Sequence, residues 1–183
     1  SIAQDSGAFT EAEMDPVAEV ELRSKIADAG LSVVGWYHSH PTFKPTPSMV
    51  DIANQCNYQH LFHDTVHNVD PFIGMIVGPY DTQMPSAVSR ISWYYADSPM
   101  TERNPMNLSV RSVNTIEASL DNVLGKIENL IKQYVHFDAL VDFNKIWRDT
   151  GSTKNGETGA DKKGISYLDV LLLSLKERVK NIQ

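Results

Sequence analysis

Residues 35–51 read Gly35-Trp36-Tyr37-His38-Ser39-His40-Pro41-Thr42-Phe43-Lys44-Pro45-Thr46-Pro47-Ser48-Met49-Val50-Asp51. The run Leu31 to His40 holds Val33, Val34, Trp36 and Tyr37 and stops at Pro41, so it reads as a largely buried strand that leads into a loop. Side chains alternate along a strand, which puts both His38 and His40 on one face. Pro41, Pro45 and Pro47 keep the next stretch extended. Ser48 and Asp51 then stand in the pattern of a capping box, which predicts a helix from there to about Phe62. A helix that starts just past a short, stiff loop can return Asp51 to the two imidazoles. Two nitrogens and one carboxylate oxygen suit zinc, and three protein ligands leave the fourth tetrahedral position to water, whose pKa zinc lowers to roughly 7. Each piece alone is weak, because a histidine at a strand end is more often a surface residue and Ser48 with Asp51 can be a helix cap and nothing else.

The combination is more specific. His38-Ser39-His40-Pro41, six residues, Ser48, two residues and Asp51 is similar at every defined position to the signature H-[ST]-H-P-x6-S-x2-D of the JAMM (MPN+) metalloproteases. The resemblance runs outward through Glu13 to Val17, Gly30 to Tyr37, Asp51-Ile52 with Gln55, Tyr58 and Gln59, and Phe72 to Val77 with Pro79-Tyr80. It is close to about Tyr95 and looser in the tail, where Phe143 to Arg148 and the leucine-rich stretch near Leu171 resemble C-terminal helices in outline only. The resemblance implies an α/β MPN fold of the cytidine deaminase-like kind, a central sheet flanked by helices, with a helical C-terminal extension. It further implies zinc held by His38, His40 and Asp51, and Ser48 steadying the oxyanion on the attacked carbonyl. The implied reaction is hydrolysis of the isopeptide bond between ubiquitin and a protein lysine, a histone being one candidate substrate, in the nucleus or cytoplasm. Two alternatives stay open: a non-catalytic MPN scaffold in a large complex, and a JAMM peptidase acting on another ubiquitin-like modifier.

One residue of that machinery does not carry over. JAMM enzymes take their general acid/base from a glutamate on a strand upstream of the segment resembling Glu13 to Val17. The glutamates ahead of His38 are Glu11, Glu13, Glu19 and Glu21, all in or beside the expected first helix, and none is given the role. The absence of an initiator Met fits a fragment whose opening strands lie elsewhere.

Further out, Asp15-Pro16 reads as an N-cap followed by proline at the first helical position, with Gly30 as the stop. Phe72 to Val77 and Ser89 to Tyr95 read as strands, the latter with Ile91, Trp93 and Tyr95 on one face. Ile116, Leu120, Val123, Leu124, Ile127, Leu130, Ile131 and Tyr134 recur at helical spacing behind Asn114 and Glu117; this stripe is expected in the core, with a face for a protein partner on the C-terminal helices as the less favoured reading. Gly151 to Gly164 is rich in Gly, Ser, Thr and Lys and is expected to be a mobile loop. Ser166 should cap a last helix with Leu168, Leu171, Leu172, Leu175 and Val179 facing inward. The expected division is a catalytic domain over 1–100 and a helical extension over 101–183.

Composition narrows the function classes. The 183 residues carry a formal charge of −7, which offers no basic patch for direct nucleic-acid binding. A single cysteine, Cys56, excludes an internal disulfide and suits a reducing compartment. No apolar stretch approaches the length of a membrane span, and Ser1 to Thr10 lacks the marks of a signal peptide. His60, His63 and His67, spaced three and four apart, could form a second metal site but are more often plain surface histidines. Cys56 reads as a small buried apolar residue and not a nucleophile, since no Cys/His pairing is evident.

Overall fold

The computed structural model describes residues 15–97, 105–110, 120–135, 141–149 and 164–179. The chain divides into two compact units, one from Ser1–Ser39, Pro45–Val77 and Ile91–Leu108, the other from His40–Lys44, Gly78–Arg90 and Ser109–Gln183.

In the first unit, the Asp15 carboxylate accepts the N–H groups of Val17 and Ala18 at 2.8 and 3.0 Å and starts α1 (Pro16–Asp28). The helix ends before Gly30, whose φ of +70° is the left-handed conformation that favours glycine. Next come β1 (Gly35–Ser39), α2 (Met49–Leu61) and β2 (Ile73–Gly78). β1 and β2 are parallel, in register from Gly35 with Ile73 to Ser39 with Val77. Parallel neighbours cannot be joined by a tight turn, and α2 supplies the crossover. β3 (Arg90–Ala96) and the short β4 (Pro105–Asn107) follow, mutually antiparallel, and the sheet order is β1-β2-β3-β4. The expected α/β arrangement of a sheet with helices is present.

Ile52, Phe72, Ile76, Tyr94 and Ala96 form the buried apolar centre of this unit. Two glutamines lie among them, Gln55 fully buried and Gln59 nearly so. Gln55 accepts the Trp36 indole N–H at 2.7 Å and donates to the Phe72 carbonyl and to Gln59 Oε1, both at 2.8 Å. Gln59 in turn donates to the Ala96 carbonyl and accepts its N–H, each at 2.9 Å. Each such bond is worth about 1 kcal/mol net, but a buried amide left unpaired costs about 1–3 kcal/mol, so the ladder fixes α2 against β1, the chain entering β2, and β3.

β3 is a strand, as expected, and it is buried on the face opposite Ile91, Trp93 and Tyr95. Tyr94 and Ala96 are fully buried, whereas Ile91 is exposed. Two contacts decide it: the Ala96 backbone is bound to Gln59, and the Tyr94 ring occupies the space that a side chain on Gly74 would need. A Cβ on Gly74 would stand 2.5 Å from that ring and 2.9 Å from Gln55 Oε1.

The second unit contains α3 (Leu120–Tyr134), β5 (Ile146–Asp149), β6 (Gly164–Ser166) and α4 (Tyr167–Val179). The stretch around Trp147, expected to be helical, is a strand paired antiparallel with β6. The Trp147 indole donates to the Tyr80 carbonyl at 2.7 Å, and Arg148, stacked over that indole, donates to the carbonyls of Thr82 and Met84. These groups capture the carbonyls of the 78–90 segment and need an extended backbone to reach them. Ser166 and Asp169 close a capping box at the start of α4, as the sequence indicates. The buried face of α4 is Val170 and Ser174, while Leu168 and Leu172 are exposed, contrary to expectation. Ser174 Oγ accepts the Ser89 N–H at 2.8 Å and Arg178 donates to the Ser89 carbonyl at 2.9 Å, so polar contacts one turn apart set that face. The stripe of α3 is not core either, since Leu124, Leu130 and Ile131 are more than half exposed. Ile116 and residues 151–163 of the expected loop lie outside the described residues, and Gly164, expected to end that loop, opens β6.

The packing of Tyr94 against Gly74 predicts opposite outcomes for two substitutions. Gly74→Ala should lower stability by about 1–3 kcal/mol through overpacking. Tyr94→Phe should be neutral or slightly stabilising, because the Tyr94 hydroxyl is buried with no hydrogen-bond partner among the described residues. Urea denaturation followed by tryptophan fluorescence checks both; a Gly74→Ala protein as stable as its parent would contradict the packing described.

Candidate metal centre

His38 is the penultimate residue of β1, and His40 follows the strand directly, so covalent geometry sets their spacing. Asp51 is the third residue of α2 and is buried. One ligand atom from each of His38, His40 and Asp51 lies within 4.8 Å of the others. Among the described residues this is the one set of three or more such side chains that could hold a metal ion.

The capping box decides how Asp51 is presented. Asp51 Oδ2 accepts the Ser48 N–H at 2.7 Å, and Ser48 Oγ accepts the Asp51 N–H at 3.2 Å. The other oxygen, Oδ1, stands 3.1 Å from His38 Nε2. Cap and candidate ligand are thus both true of Asp51, one oxygen for each task. His40 Nδ1 lies 2.8 Å from the Lys44 carbonyl. A carbonyl can only accept, so Nδ1 carries the proton and Nε2 is the nitrogen with a lone pair, the arrangement usual for a metal-ligating histidine.

Charge and spacing agree with a cation. Burial pushes the Asp51 carboxyl upward, but hydrogen bonds from His38 and from Ser48 outweigh it and hold the group far below the usual carboxylate range. It is therefore ionised at neutral pH, as a ligand must be. Donors at zinc distance in a tetrahedron stand about 3.3 Å apart, close to the His38–Asp51 separation. The residues present fit such an ion. Ser48 is exposed at the same helix start.

The other histidines are placed differently. His63 Nδ1 is 2.8 Å from Asp70 and His67 Nδ1 is 2.6 Å from Asp64, each pair at the surface, and the two do not converge with His60 on one point. Cys56 is half-buried on α2, less enclosed than the sequence suggests. Glu19 is paired with Arg23 at 2.5 Å within α1. Sequence reasoning gave no role to Gln55 or to the Lys44 carbonyl. Two glutamines one turn apart on a partly apolar helix were the available signal for the first; a main-chain partner leaves none.

Residues 5–64 match the family described as JAB1/Mov34/MPN/PAD-1 ubiquitin protease. This segment is similar to the MPN family, and it includes all three candidate ligands and Ser48. Among curated relatives, it is 46% identical over 169 residues to the histone deubiquitinase MYSM1 of Branchiostoma floridae, covering 92% of this chain and 18% of that protein. It is 35% identical over 140 residues to deubiquitinase MYSM1 of Homo sapiens, covering 74% of this chain and 16% of that protein. An MPN domain-containing protein of Danio rerio is 29% identical, over 85% of this chain and 36% of its own length. The chain thus spans less than a fifth of the MYSM1 relatives it matches.

The cap predicts a measurable stability term. Ser48→Ala should cost about 1 kcal/mol and Ser48→Thr markedly less, since threonine also caps. Equilibrium denaturation of the three proteins checks it; an Ala variant indistinguishable from the parent would mean that the box contributes nothing.

Proposed function

We propose that this chain is the catalytic part of a zinc-dependent deubiquitinase that cleaves the isopeptide bond between ubiquitin and a protein lysine, with a histone as the favoured substrate. The observation that carries this reading is the convergence of His38, His40 and Asp51, with the carboxylate divided between its cap and the His38 imidazole. The names of the relatives support ubiquitin and a histone as the two parts of the substrate. They also favour a nuclear site of action, since histones are nuclear. No helix of the described residues is long and apolar enough to cross a membrane.

His38 and His40 would hold the ion through nitrogen and Asp51 through Oδ1. Zinc in that position supplies a Lewis acid and makes hydroxide available near neutral pH. Asp51 keeps one full negative charge beside the ion because Oδ2 remains tied to the start of α2. Ser48, exposed at that helix start, would steady the oxygen of the attacked carbonyl. Hydrolysis adds water's oxygen to the carbonyl carbon, breaks the C–N bond and delivers a proton to the lysine nitrogen. Glu19 is engaged by Arg23, and we assign that proton transfer to none of Glu11, Glu13, Glu19 and Glu21.

Two measurements test the reading. Elemental analysis of the purified protein should find about one zinc per chain, lost in His38→Ala and His40→Ala. Asp51→Asn retains a cap of nearly equal quality, so its fold should survive at a cost of at most about 1 kcal/mol. Its isopeptidase activity in the full-length protein, on ubiquitinated histone or a ubiquitin dimer, should fall by at least about 10²-fold. Near-normal turnover by Asp51→Asn would reject Asp51 as a metal ligand, whereas a parent protein that holds no zinc and cleaves neither substrate would favour the non-catalytic scaffold.

A further inference from the structure

Trp36 and His38 stand two apart on β1 and share a face. Their rings are stacked, with centroids 4.8 Å apart and planes 24° from parallel. The Trp36 indole is held in turn by Gln55 Oε1 at 2.7 Å. Gln55 lies four residues after Asp51 on α2, one turn along the same face. Four side chains therefore form a closed circuit: Asp51 to His38 at 3.1 Å, His38 stacked on Trp36, Trp36 bonded to Gln55, and Gln55 returned to Asp51 by one helical turn.

The orientation of the Gln55 amide is fixed by its surroundings. Both hydrogens of its nitrogen go to acceptors that cannot donate in exchange, the Phe72 carbonyl and Gln59 Oε1. A flipped amide would set an N–H against the indole N–H and an oxygen against two oxygens. The acceptor facing Trp36 is therefore built in, at a position with no exposure to solvent.

We propose that Gln55 and Trp36 are positioning residues for the metal centre, Gln55 holding the indole and the indole setting the plane of the His38 imidazole opposite Asp51. The inference rests on the metal reading above and adds a role for two residues that do not touch the ion. Without the indole bond the ring stacked on His38 loses its anchor, and the preformed spacing of two donors relaxes.

Cobalt(II) titration of the full chain, read by visible absorption, tests it. Trp36→Phe keeps an aromatic ring against His38 but removes the N–H donor, together with part of the ring area; it should bind cobalt about tenfold more weakly, with a shifted visible spectrum. Gln55→Leu should do the same or worse, and combining the two should weaken binding less than the two single effects together, since both break one bond. Val170→Ala, at a buried site of α4, should lower stability while leaving cobalt affinity and spectrum within about twofold of the parent. Trp36→Phe binding as tightly as the parent, with an unchanged spectrum, overturns the positioning role, as does an affinity that tracks stability across all the variants. A parent chain that takes up no cobalt overturns the metal reading itself.

Discussion

The carboxylate of Asp51 serves two masters, and the candidate site depends on its being able to. A carboxylate has two oxygens, and the start of α2 claims one of them through the Ser48 N–H. A helix N-terminus also favours negative charge, since its N–H groups carry the positive end of the backbone dipoles. The remaining oxygen is then aimed without the usual freedom of a carboxylate rotor, toward the imidazole of His38. Ser48 is thus more than a cap in this arrangement, because its main chain determines which way its neighbour's charge points.

The second requirement is that α2 and β1 keep a fixed spacing, and buried amides meet it. Apolar packing tolerates small slips, since dispersion has no direction. A ladder of amide hydrogen bonds does not, because each partner has one acceptable place. The Gln55–Gln59 ladder reaches the indole on β1, the chain entering β2 and the last residue of β3. One helix is in this way located against three strands, and the candidate ligands His38 and Asp51 inherit that precision.

Much of this was legible before any coordinates. The two-residue period of a strand, the three-residue spacing of a capping box and the prolines between them place His38, His40, Ser48 and Asp51 by local rules alone, and local rules are what a sequence states openly. The faces of β3 and α4 were not legible. Both faces carry apolar residues, and the choice was made by distant partners: Gln59 and Gly74 for β3, the Ser89 backbone for α4. The strand at Trp147 was hidden for a similar reason, its partners being main-chain carbonyls more than sixty residues away. The stripe of α3 shows the opposite limit: an apolar face is plain in the sequence, but whether this chain covers it is not.

Gly74 and Tyr94 stand on separate strands, twenty positions apart, yet the space between them holds either a side chain on one or a ring on the other. Gln55 Oε1 closes the third side of that space, so an enlarged residue at 74 would press on the amide that holds Trp36 as well as on the ring. The three positions therefore behave as one unit of inheritance. Among relatives of this fold, a change at any one of them is expected to be accompanied by a change at another, and a lineage that alters the glycine alone would disturb the candidate site from a residue that never touches it.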